Sequence, residues 1–211
     1  MKIKPGKLAT NGYHLLDYLD HRELIPFVRT YLKKRTTISL FYTFSNIVIA
    51  ILIIFWFWKN HQSAGFRFGI GLNYLCVGLA MAFALIPIHE YIHALAYKYQ
   101  GAHHTSYDVN WKKFYFMAIA DKFVANKKEY QMVALAPFFV ISTTLIILLF
   151  FTDRLWSFTV LGILLTHTAF SSGDFGMLSY FEYHKDKDVV TYDDREHGIS
   201  YFYGKEKKIK V

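Results

Sequence analysis

The sequence contains a single cysteine, Cys76, and only four prolines in 211 residues. One thiol excludes an internal disulfide framework, so Cys76 is read as a small packing residue. Charge is scarce as well: Asp, Glu, Lys and Arg together make up 19% of the chain, below the ~25% usual in soluble domains. That is not the composition of a soluble domain. There is no internal repeat and no low-complexity tract. The net charge is +8, but no nucleic-acid recognition motif accompanies it, so nucleic acid is not expected as a partner. A cleavable signal peptide is not expected either. The first apolar block begins after more than thirty residues and is too long for a signal-peptide core, so it is read as an uncleaved span.

What the chain has in abundance is apolar sequence, 54% of residues, with 19% aromatic. It is gathered into blocks, and a transmembrane helix needs about 20 mostly apolar residues. Four blocks reach that length, at about residues 37–58, 68–88, 131–151 and 156–180. The last contains His167 and Asp174. Four such blocks in so short a chain leave too little polar sequence to cover them in a soluble core. The expected fold is therefore an α-helical polytopic membrane protein, a bundle of four transmembrane helices over residues 37–180. Residues 1–36 form an N-terminal segment and residues 181–211 a tail.

Lys and Arg set the expected orientation. Eight precede the first span, two lie between spans one and two, six between two and three, one between three and four, and seven follow span four. Cytoplasmic segments carry the excess, which places both termini and the 101–130 loop in the cytoplasm of a multi-pass integral cell-membrane protein. Lys33, Lys34 and Arg35 then face anionic lipid headgroups.

Outside the spans, residues 13–32 mix Leu15, Leu16, Leu19, Leu24, Phe27, Val28 and Tyr31 with charges. This pattern predicts one or two amphipathic helices on the inner surface, with Asn11 as a cap and Pro26 as a break. Residues 107–110 and 114–119 have strand composition and predict a small β-hairpin in the cytoplasmic loop, joined through Trp111, Lys112 and Lys113. The tail predicts two short strands around a turn at residues 193–198. Gly78 and Ala82, Ala80 and Ala84, and Gly162, Gly173 and Gly176 are small residues that let helices approach closely in lipid.

The chemistry is concentrated at one point. His89, Glu90, Tyr91, Ile92 and His93 spell H-E-x-x-H at the end of the second apolar block. On a helix, residues four apart share a face, about 5–6 Å apart at Cβ. Two imidazoles so placed can hold one Zn²⁺, and the Glu beside the first can act as general base. Ionisable residues within a span are costly and mark function by default. Pro87, just ahead of the motif, is expected to kink or restart the helix.

A catalytic zinc needs a third protein ligand. The candidates are Asp174, His167, His103, His104 and Asp108. Depth favours Asp174: His89 comes about twenty residues after the start of span two and Asp174 about eighteen after the start of span four. At about 1.5 Å per residue the two reach a similar level. An unpaired carboxylate there is expensive, and a cation removes the cost. His167 lies seven residues before Asp174 and, on one continuous helix, roughly on its face. His167 and Ser171 are candidates to hydrogen-bond the ligands. His103 and His104 are adjacent, do not share a helix face, and read as a solvated loop.

These residues point to hydrolysis of a membrane protein or peptide, with Glu90 moving the proton. The hairpin edge is expected to hold the extended substrate by strand addition. A metal carrier and a non-catalytic membrane scaffold are the alternatives. Oligomeric state is left open.

The runs I-H-E-Y-I-H-A-L at 88–95, A-L-A-P-F at 134–138 and S-S-G-D-F at 171–175 resemble the putative zincin peptidase family, domain of unknown function 3267. That family is distantly similar to the site-2 intramembrane zinc metalloproteases. The resemblance implies a helical zinc metallopeptidase with one Zn²⁺, His89 and His93 as ligands, Glu90 as base and Asp174 as third ligand. It also implies a bacterial cytoplasmic membrane. The chain lacks the N-x-x-P-x-x-x-x-D-G signature that carries the carboxylate in the site-2 enzymes, and Pro137 belongs to no such motif.

Overall fold

The structure, a computed structural model, describes residues 3–63, 65–110 and 115–207. It is mostly helical with small sheets. The helices are α1 (Leu24–Leu32), α2 (Thr37–His61), α3 (Phe68–Met81), α4 (Ile86–Tyr99), α5 (Lys127–Leu149), α6 (Trp156–Phe170) and α7 (Ser172–Tyr183). The strands are β1 (His14–Asp20), β2 (Ser106–Asn110), β3 (Tyr115–Ile119), β4 (Ala125–Asn126), β5 (Lys187–Asp194) and β6 (Ile199–Glu206).

Among the described residues, three helical stretches are long and apolar enough to cross a membrane: Thr37–His61, Phe68–Tyr99 and Lys127–Leu149. This supports a membrane protein. Along α2, Phe44, Ile47, Ile51, Ile54 and Trp58 recur at helical spacing and are each 51–68% exposed. An exposed apolar stripe of that length suits lipid rather than water.

The block at 156–180 differs from the single span expected. It breaks at Ser171 into α6 and α7. Ser171 has ψ near 2°, and its hydroxyl donates back to the His167 carbonyl at 3.1 Å. Ser171, Ser172 and Gly173 are weak helix formers, and serine side chains compete for backbone partners. Asp174 consequently falls in the first turn of α7, where the helix dipole favours a carboxylate. His167 and Asp174 therefore lie on separate helices, α6 and α7.

The chain divides into two compact units, and its segments alternate between them. One unit comprises residues 40–89 and 137–172. In it α6 lies close against α3. A Cβ on Gly78 would sit 2.1 Å from the Thr159 carbonyl oxygen, and one on Gly162 only 2.5 Å from that of Leu75. Thr159 also donates its hydroxyl to the Tyr74 carbonyl at 3.0 Å. Backbone meets backbone there, so no side chain can move aside. Gly78→Ala is expected to destabilise the protein by about 1–3 kcal/mol, read as a lower unfolding midpoint in detergent.

The other unit comprises residues 1–39, 90–136 and 173–211. Its four-stranded sheet runs β1-β6-β5-β4, and β1, β6, β5 and β4 pair antiparallel in turn. Its core joins Leu19, Met177, Tyr180, Phe181, Val189 and Phe202, with Phe27 and Tyr31 of α1 packed against them. Phe27 stacks on Phe202 at 5.7 Å between ring centroids.

The N-terminal segment therefore corrects the amphipathic-helix expectation. Its first half is strand β1, paired with β6 nearly the whole chain away, and only residues 24–32 are helical. Pro26 lies in the first turn of α1, where its missing N–H costs nothing, rather than breaking the helix. Asn11 ends a 3-10 turn and bonds back to the Lys7 carbonyl at 2.6 Å, so it caps no α-helix. The tail hairpin forms as expected, β5 turning into β6 through Gly198 at φ +63°. The loop hairpin also forms, as β2 and β3. The connection expected at Trp111, Lys112 and Lys113 lies outside the described residues.

Candidate metal centre

The stretch Phe68–Tyr99 is not one uniform helix. Residues Ala82–Leu85 form a 3-10 turn, and α4 starts at Ile86. Pro87 has no N–H and its ring crowds the preceding turn, which accounts for the restart. On α4, His89, Glu90 and His93 bring their ligand atoms within 4.8 Å of one another.

His93 is the most constrained of the three. It is buried, and its Nδ1 bonds the Val133 carbonyl at 2.9 Å. A carbonyl only accepts, so Nδ1 carries the hydrogen and the neutral ring presents a lone pair at Nε2. That nitrogen lies 3.1 Å from Asp174 Oδ1, and both side chains are largely buried. A lone pair and a carboxylate oxygen facing each other need a cation or a proton between them. Two ligands each about 2.0–2.1 Å from a tetrahedral Zn²⁺ stand about 3.3 Å apart, close to the separation seen here. Imidazole and carboxylate are also zinc donors by type. The residues fit the ion.

Glu90 is held from outside its helix. The backbone N–H of Ala118, on β3, donates to its Oε2 at 2.7 Å. The loop hairpin thus fixes one carboxylate oxygen of the motif. His89 Nδ1 lies 3.3 Å from His167 Nε2. One of these nitrogens must donate, so each ring restricts the tautomer of the other.

The other residues weighed from sequence lie elsewhere. Asp108 pairs with the His21 ring, Nδ1 to Oδ2 at 3.1 Å. His103 and His104 are exposed. Ser171 spends its hydroxyl hydrogen on the His167 carbonyl.

Three features were not foreseen. The first is the Ala118 amide, which no side-chain pattern reveals. The second is the Val133 carbonyl. Its signal in the sequence is Pro137, four residues on, inside an apolar span. The third is a buried chain of polar groups behind the hairpin. His21 Nε2 lies 3.1 Å from Ser200 Oγ, which donates to Asp193 Oδ1 at 2.6 Å. Burial holds the Asp193 carboxyl above the usual range, against the opposing effects of Ser200 and His21. Through Asp108 this chain ties β2 to the sheet.

Neither the curated proteins nor the solved structures include a match to this chain. A family model described as "Putative zincin peptidase", domain of unknown function 3267, does match, over residues 82–188. That range takes in His89, Glu90, His93, Asp108, Ala118, Val133, Pro137, His167 and Asp174, and it covers just over half of the sequence. The chain belongs to the putative zincin peptidase family.

Proposed function

We propose that the chain is a membrane-embedded zinc endopeptidase acting on a membrane-associated protein or peptide. His89, His93 and Asp174 hold the metal, and Glu90 is the general base. The observation that carries this reading is His93: Nδ1 is committed to a carbonyl while Nε2 faces a carboxylate at 3.1 Å. Bound zinc brings the pKa of a coordinated water to about 7 and polarises a carbonyl.

The chain's own groups do the rest. Glu90, with Oε2 held by Ala118 N–H, takes a proton from the attacking water and delivers it to the leaving amine. His167 fixes the orientation of the His89 ring, and Val133 that of His93. The β2–β3 hairpin, whose inner strand already touches Glu90, offers a strand edge for an unwound substrate. Substrate must be extended, because helical amides are covered and hydrogen-bonded.

In the cell membrane, four passes with both termini cytoplasmic satisfy the Lys and Arg distribution. Site-2 metalloproteases are the mechanistic relatives this implies.

The test is metal removal. Protein purified into vesicles with a single-span peptide substrate is expected to carry about one zinc per chain. A chelator should abolish cleavage, and stoichiometric zinc should restore it. A parent protein without zinc, or cleavage indifferent to chelation, overturns the reading.

A further inference from the structure

Pro137 lies inside α5 and is itself buried. An interior proline withdraws one amide from the helix ladder, the one that would bond the carbonyl four residues earlier. Here that carbonyl belongs to Val133. The same carbonyl accepts the hydrogen on His93 Nδ1 at 2.9 Å, forty residues away in sequence. Both Val133 and His93 are buried.

We propose that Pro137 is a positioning residue: by removing the competing amide it assigns the Val133 carbonyl to His93 and so decides which ring nitrogen carries the hydrogen. With Nδ1 committed to the carbonyl, Nε2 is the nitrogen turned toward Asp174 Oδ1, at 3.1 Å. With an ordinary residue at 137, its N–H is covalently placed to take the carbonyl. His93 would then have to share that carbonyl or turn, and either tautomer would be open to it. A kink alone does not account for the arrangement, since a kink requires no partner for the released carbonyl. The catalytic meaning of this device rests on the zinc reading of His93; the tautomer assignment does not.

The experiment compares three proteins. Pro137→Ala restores the amide and suits a helix better than the parent, so folding is not at risk. A third protein carries lactic acid at 137, placing a backbone ester where the amide was: it has neither proline's ring nor an N–H. Nitrogen-15 spectra of the histidine rings are recorded on metal-free protein in micelles at alkaline pH, where the proton shared with Asp174 has been lost, and zinc affinity is measured by competition.

The parent and the ester protein are expected to show His93 with hydrogen on Nδ1 alone. Pro137→Ala should show a mixed population and bind zinc about 10–100-fold more weakly, the usual cost of losing a group that orients a ligand. The proposal is overturned if Pro137→Ala keeps the parent's tautomer and affinity. It is equally overturned if the ester protein behaves like Pro137→Ala, because the ring rather than the missing donor would then matter. A tautomer shift in a parent that binds no zinc would uphold the role of Pro137 and remove the metal reading instead.

Discussion

Glu90→Gln is expected to keep one zinc per chain and to lose peptide hydrolysis by about 10²–10⁴-fold, the usual worth of a positioned general base. The substitution is nearly isosteric. The amide oxygen can still accept from Ala118 N–H, so the hairpin contact survives. What disappears is the ability to take a proton. In barrier terms the loss is about 3–5 kcal/mol. Zinc content and initial rates on a membrane-reconstituted substrate measure it. Cleavage within a few-fold of the parent would assign the base to another group. Loss of zinc together with activity would show Glu90 serving the metal rather than the proton.

Asp174→Ala is expected to reduce zinc affinity by more than the roughly 10–100-fold that removal of a group behind a ligand costs. It should also invert a stability ordering. In metal-free protein at alkaline pH, Asp174 Oδ1 faces His93 Nε2 at 3.1 Å with no proton left to join them. Removing the carboxylate relieves that conflict, so metal-free Asp174→Ala should unfold at or above the metal-free parent. With zinc added, the parent gains about 4 kcal/mol when the ion is present at a thousand times its Kd, and the variant gains far less. The order of the two unfolding midpoints therefore crosses as zinc is titrated in. If the midpoints stay parallel, Asp174 is not a ligand.

Local patterns in the chain carried much of this. The H-E-x-x-H pair needs only helical spacing, and α4 supplies it. The long apolar helices are legible because composition alone sets them, as with α2 and α5. Strand composition revealed the loop hairpin, and short strands flanking a turn region the tail hairpin. Asp174 is singled out from the sequence by counting depth along a straight helix. It meets His93 even though the helix breaks at Ser171, because α7 resumes immediately and carries Asp174 in its first turn.

What could not be read was non-local. Residues 14–20 look amphipathic in either period, and only β6 decides for strand. His21 belongs to no motif in the sequence, and its partners Asp108 and Ser200 lie far along the chain. The partners of His93 and Glu90 are backbone groups, Val133 C=O and Ala118 N–H, and side-chain patterns do not record which backbone groups are available.

The sheet order β1-β6-β5-β4 has a consequence for biosynthesis. β1 leaves the ribosome early, yet its pairing partner begins at Ile199. At roughly 5–20 residues per second, the first strand waits on the order of ten to forty seconds for the second. During that interval the apolar helices can already enter lipid, while the unit bearing Glu90, His93 and Asp174 cannot close. Until β6 is made, β1 has no partner in this sheet, and the unit that carries the motif carboxylate stays open.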